Sequence, residues 1–145
     1  MLTQENDIPG VTLTDEFDNE ELPEGSIAYH RVWGTVMANS YWYFSSKQLE
    51  ADLQAAEANP QITCHFLHIN SPGGEAWYLD RLSETLRSCE KPILTYYEQM
   101  CCSAGYYIGC HVSMPVLPMI TWDVSVPCVA FTISRDITRN LVSST

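Results

Sequence analysis

Two short stretches carry the residues best suited to chemistry. Ser103 stands in MCCSAGYYIG, directly after an apolar run, and Ala104 and Gly105 follow it. A serine at the point where a strand turns into a helix lifts its hydroxyl above the sheet, near the positive end of the helix dipole. Two small residues beside it leave room for a substrate backbone. The other stretch is Ser71-Pro72-Gly73-Gly74, which ends a second apolar run. Gly73 and Gly74 offer backbone N–H groups unobstructed by Cβ, the kind of donors that hold an oxyanion during acyl transfer. Each stretch also has a plainer reading. Ser103 is of a common helix N-cap type, and the glycines suit a tight strand–helix turn. Spacing alone favours the plainer reading for Ser103. The pair together, with one helix and one strand between its members, is more specific: a donor pair on one loop and a nucleophile on the next.

A serine nucleophile needs a base, and the sequence offers poor ones. Lys47 and Lys91 both precede Ser103, and Lys91 sits before Pro92 at a helix end, where a solvated lysine is the better reading. His111 follows Ser103 by about two helical turns, which fits poorly. Cys101 and Cys102 flank the serine; Cys102 is an alternative thiol nucleophile, although buried structural cysteines are commoner. His65 and His68, three apart in a strand, point to opposite faces, which disfavours a shared metal. No metal and no cofactor are expected. The Tyr41–Phe44 aromatic cluster suits a core or a subunit interface, and Tyr106 and Tyr107 suit packing of the helix after Ser103.

The elements that must position these residues follow from periodicity. Ser26 to Met37 is β-prone, with Gly34 as a candidate bulge. Ser45 and Ser46 are N-cap types ahead of Leu49, Leu53 and Ala56 at helical spacing, and Asn59-Pro60 stops that helix. Ile62 to Ile69 reads as a strand. Ala76, Leu79, Leu82 and Leu86 define an amphipathic helix from just after Gly74 to about Cys89. Ile93 to Glu98 is the next strand, and Ser103 opens a helix through Ile108. This alternation predicts an α/β fold with right-handed crossovers and a mainly parallel sheet.

The 145 residues suit a single domain with a real core. Residues 1–25 form an acidic arm, read as loop or disorder: they hold 8 of the 18 acids, and the first base is Arg31. The remaining chain carries 10 acids against 7 bases, without the clustered lysines and arginines that phosphate binding needs, so nucleic acid is not an expected partner. No run approaches the roughly 20 apolar residues of a membrane helix, so no membrane anchor is expected. The six cysteines form no CxxC pairs and no basic-then-apolar leader opens the sequence, which suggests reduced thiols in a cytoplasmic protein. Residues 111–145, with Pro115, Pro118 and Pro127, break the pattern and form a divergent tail.

FLHINSPGG (Phe66–Gly74) and MCCSAGYYIG (Met100–Gly109) together resemble the paired signatures of the signal peptide peptidase A (protease IV) serine peptidases. Those peptidases share the ClpP/crotonase-like fold of repeated β-β-α units. The likeness spans residues 26–110 and is closest to soluble phage or prophage members that process capsid or scaffold proteins. It implies Ser103 as nucleophile, Gly73 and Gly74 in the oxyanion hole, a polypeptide substrate, and self-assembly into a homo-oligomeric ring or stack. Single-domain members take their base from a lysine well after the serine, and this sequence has no lysine there. A frameshift near Gly109 to His111 would account for that: the codons of Ile133–Leu141 can be chosen so that a shifted frame restores the family's tyrosine-rich segment. The expectation is therefore an incomplete carboxyl-terminal part and an impaired enzyme. Two other readings are a non-catalytic oligomeric scaffold with the same fold, and a crotonase-type acyl-CoA enzyme, against which Ser103 argues.

Overall fold

A computed structural model describes residues 11–111 and 114–116 of the chain. The elements run β1 (Leu13–Thr14), β2 (Ser26–Trp33), β3 (Val36–Met37), β4 (Phe44–Ser45), α1 (Ser46–Ala58), β5 (Ile62–Ser71), α2 (Leu79–Ser88), β6 (Ile93–Cys101), α3 (Ala104–Cys110) and β7 (Met114–Val116). Strands β1-β2-β5-β6-β7 form one five-stranded sheet in that order, every neighbouring pair parallel. β3 and β4 make a separate parallel pair. The protein is a mixed α/β structure built on a parallel sheet, the class that the alternation of periodicities predicts.

Period two decides the two faces of the sheet. Ala28, His30 and Val32 on β2, His65, Leu67, Ile69 and Ser71 on β5, and Ile93, Thr95 and Tyr97 on β6 are buried. Val32, Leu67, Ile69, Ile93 and Tyr97 form the sheet side of the main core, against Leu49 and Leu53 of α1, Leu82 and Leu86 of α2, and Ile108 of α3. Burying each such aliphatic side chain is worth roughly 1.5–3 kcal/mol. The opposite face carries Tyr29, Phe66, His68 and Tyr96 half-buried and Arg31 and Trp33 exposed. There Phe66 stacks on Tyr29 and Tyr96, at centroid distances of 5.9 and 6.5 Å.

Helix α1 begins as its sequence predicts. Ser45 is the N-cap, its Oγ accepting the Gln48 N–H at 3.3 Å, and Asn59 closes the helix before Pro60. Helix α2 starts at Leu79, later than the periodicity from Ala76 suggests. The preceding loop is held elsewhere: Glu75 N donates to Val36 O at 2.8 Å, and the Glu75 carboxylate accepts Ala38 N at 2.8 Å. Tyr78 then takes a left-handed φ of 78°, which no helix can run through.

Within the acidic stretch, Leu13–Thr14 adds a strand beside β2, with Ile27 N donating to Thr12 O at 2.8 Å. Phe17 and Leu22 pack on Ala28, Ala56 and Ile62. The Asn59 amide donates to the carbonyls of Phe17 and Asn19, both at 2.9 Å. Apolar residues spaced among the acids are what fasten this segment. The expected tail, apart from its first residue and β7, lies outside the described residues. Among those described, no helix is long and apolar enough to cross a membrane.

Candidate active site at the carboxyl edge of the sheet

Strand β6 ends at Cys101, and Cys102 N donates to Ser71 O at 3.0 Å, joining the ends of β6 and β5. Ser103 follows with φ 50° and ψ −121°, and it is exposed. A residue with a Cβ at such a φ costs of order 1–3 kcal/mol. The strain turns the chain sharply from strand to helix and leaves the side chain on the surface. The plainer reading of Ser103 can be tested directly: it occupies the N-cap position of α3, yet its side chain makes no capping hydrogen bond. Its backbone carbonyl accepts Tyr107 N at 2.9 Å. The hydroxyl is therefore not consumed by the helix end.

The glycine loop meets this turn. A Cβ on Gly73 (φ 105°) would lie 2.6 Å from Ser103 Cβ and 3.1 Å from Ser103 Oγ, so only glycine permits the approach. Gly73 O accepts Val36 N at 2.9 Å, and Gly73 N–H donates to Ser71 Oγ at 3.1 Å. Gly74 (φ 157°) forms a bridge to Val36, and a Cβ there would overlap the Val36 carbonyl. The structure thus brings Gly73 against Ser103, while Gly74 is pressed onto β3. Gly105 completes the junction, since its Cβ position lies 3.0 Å from Ser71 Cβ.

Ser71 is a residue that the sequence reading left without a role. Fully buried, it donates from Oγ to Gly34 O at 2.5 Å and accepts from Gly73 N–H, so it sets the loop geometry. Its place ahead of Pro-Gly-Gly, where serine hydroxyls commonly bond a backbone two residues on, was the available signal.

Among the described residues, no histidine or lysine hydrogen-bonds to Ser103. Lys47 lies over the rings of Trp77 and Tyr78, at 5.6 and 5.3 Å. Lys91 is half-buried and not freely solvated as its sequence position suggested: Nζ donates to the carbonyls of Ala56 and Asn59 at 2.6 and 2.7 Å, at the carboxyl end of α1. His111 receives a hydrogen bond from Arg87 on Nδ1 at 3.1 Å and sits edge-on to Tyr107. Burial and then the Arg87 charge hold its pKa below the ordinary value. Burial pushes the Cys101 thiol well above its ordinary pKa, which suits a structural cysteine. Cys102 is half-buried.

Three polar clusters lie away from Ser103. Glu50, buried under α2, accepts from Tyr78 Oη, from Arg81 Nε at 3.0 Å and from Thr85 Oγ1 at 3.2 Å. Burial would raise its pKa, but the three hydrogen bonds and the Arg81 charge outweigh that and hold it below the ordinary carboxyl value. On the open face, His68 lies between Tyr29 Oη (2.7 Å) and Glu98 (3.0 Å). On the helix side, His65 lies between His30 (3.0 Å) and Glu57 (2.8 Å). The two histidines do face opposite ways. Near Glu57, the Cys89 thiol is pushed up to about 12, by burial first and then by the Glu57 carboxylate. A cavity of about 670 Å³ opens between Phe17, Tyr29, Tyr41, Tyr43 and Asp52, with neither Ser103 nor the glycine loop in its wall.

No protein-family model matches the sequence, and no curated protein does. Among solved structures, the chain is similar to the ClpP1 N165D mutant from Listeria monocytogenes, with a TM-score of 0.48 and 15% identity over 81% of this chain and 71% of that one.

Proposed function

We propose that the chain carries a serine-peptidase site of the protease IV kind, acting on polypeptides. The observation behind this reading is the exposed, uncapped Ser103 at a strained strand–helix turn with Gly73 packed against it. In this chemistry Ser103 Oγ bonds to the peptide carbonyl carbon, and its proton passes to a base. The tetrahedral oxyanion is held by backbone N–H groups of Gly73 and Gly74. Gly73 N–H exchanges its neutral Ser71 Oγ acceptor for the charged oxygen, the stronger partner. Collapse breaks the C–N bond, and the proton goes to the leaving amine.

No base stands beside Ser103 among the described residues, so slow turnover is expected. A fluorophosphonate probe tests the nucleophile without needing full turnover. Labelling should be slow and should map to Ser103, and Ser103→Ala should lose it while keeping wild-type circular dichroism. Equal labelling of both proteins would sink the assignment. A second reading is a non-catalytic homo-oligomeric scaffold. The aromatics Tyr41, Trp42 and Trp77, which are 90, 85 and 64% exposed, suit subunit contacts. Ring-sized particles in sedimentation, with no labelling at Ser103, would favour that reading over the peptidase.

A further inference from the structure

At the opposite edge of the sheet, three different ligand types converge from three separate segments. Glu57 comes from the last turn of α1, His65 from the start of β5, and Cys89 from the C-cap of α2. One carboxylate oxygen, one imidazole nitrogen and one sulfur all lie within 4.8 Å of one another. His65 Nε2 and Glu57 Oε1 are 2.8 Å apart, and the His65 side chain is fully buried. Tetrahedral zinc, with bonds of about 2.0–2.3 Å, sets its ligand atoms roughly 3.3–3.6 Å apart. Small side-chain adjustments bring the three groups to that spacing.

The surroundings resemble an outer shell rather than a plain ion pair. A histidine that ligates through one nitrogen characteristically hydrogen-bonds through the other. His65 Nδ1 does so with Nε2 of buried His30, at 3.0 Å. The Glu57 carboxylate is itself oriented by N–H groups of Glu90 (3.3 Å) and Lys91 (3.1 Å). The Lys91 ammonium is turned to the Ala56 and Asn59 carbonyls. A cavity of about 400 Å³ reaches Glu57 and Cys89 past Thr85, Ser88 and Glu90, which supplies an entry path and room for a water as fourth ligand.

We propose that Glu57, His65 and Cys89 form a three-ligand site for a zinc-class divalent cation, distinct from Ser103. His65 and Ser71 are separated by six residues of extended β5, roughly 20 Å, so the ion serves the fold and not the acyl chemistry. It ties α1, β5 and the α2–β6 connection together. On binding, bonds form from the metal to Glu57 Oε1, His65 Nε2 and Cys89 Sγ. The Cys89 thiol proton leaves to solvent; His65 moves its single proton from Nε2, where it faced Glu57, to Nδ1, and His30 moves its own from Nε2 to Nδ1, so that His65 Nδ1–H donates to His30 Nε2. No oxidant or reductant is involved. The mixed sulfur, nitrogen and carboxylate set suits zinc or cobalt over magnesium or calcium, which prefer oxygen.

Cobalt(II) titration of the full chain after chelator treatment tests this. One equivalent should bind, giving the intense visible bands of a four-coordinate site and a near-ultraviolet sulfur-to-cobalt charge-transfer band. Zinc(II) should displace it and raise the wild-type Tm. Cys89→Ser should abolish the charge-transfer band, and Glu57→Gln should weaken binding by more than about tenfold, the loss seen even for supporting partners of a ligand. Cys64→Ser, on the other sheet face, should change neither. If wild type shows no saturable cobalt binding, or if Cys89→Ser keeps the band, the proposal is overturned. The wild-type titration decides it even if a variant fails to fold.

Discussion

The two edges of the sheet are built by different means. At the carboxyl edge, Ser103, Gly73 and Gly74 are placed by backbone: positive φ angles, backbone hydrogen bonds between Val36 and Gly73 and between Cys102 and Ser71, and contacts that no Cβ would permit. At the amino edge, Glu57, His65, His30 and Cys89 are placed by side chains that hydrogen-bond to one another or to nearby backbone. The difference teaches where each edge tolerates change. A backbone-built site accepts loss of its reactive side chain but not gain of a methyl group; a side-chain network behaves the opposite way.

The comparison is broken most severely at Gly74. Gly74→Ala places a methyl against the Val36 carbonyl and should cost about 3 kcal/mol or more, read from urea unfolding. A cost below about 1 kcal/mol would mean that the loop is free to move away from β3. At the other edge, Glu57→Ala strips the acceptor from Glu90 N, Lys91 N and His65. In chelator-treated protein it should cost about 2 kcal/mol, the scale of leaving the buried His65 donor unpaired. An Ala tolerated there without loss would show that water replaces the carboxylate.

Ser103→Gly should go the other way. Relieving φ 50° should stabilise the protein by about 1 kcal/mol while abolishing fluorophosphonate labelling. Unchanged or lower stability would remove the case that strain is stored at this turn. An effect of no greater size concerns Glu50. Its folded carboxyl lies below the ordinary value of 4.5, so its contribution is present above that value and is lost as pH falls through the lower, folded value. Glu50→Gln should therefore be less stable than wild type by about 1 kcal/mol at neutral pH and converge with it in acid. Parallel acid-unfolding curves would discard the linkage.

Much of the framework was legible in the sequence. Period-two and helical spacing located α1, β5, β6 and α3 to within a few residues, because each element buries its own apolar stripe. The strand–glycine–helix and strand–serine–helix punctuation was equally readable. Three features were not. The start of α2 moved to Leu79 because Glu75 N donates to Val36 O of β3 and its carboxylate accepts Ala38 N, a contact across 37 residues. Part of the acidic segment pairs with β2 because Phe17 and Leu22 find a core formed by distant residues. Lys91 found carbonyls on α1, a helix its own neighbours do not reveal.

What the sequence by itself determined is the set of groups available: a serine and glycines at element junctions, two early lysines, four histidines and six cysteines. Which of them meet was decided only by tertiary structure. Parallel pairing of β5 with β6 joins Ser71 to Cys101 and so brings Gly73 to Ser103. The same pairing aligns His65 with Ile93, just past Cys89, and gathers the other cluster at the far edge. Local propensity fixes residue conformations over a few positions, whereas register between strands thirty residues apart follows from how the buried face packs as a whole.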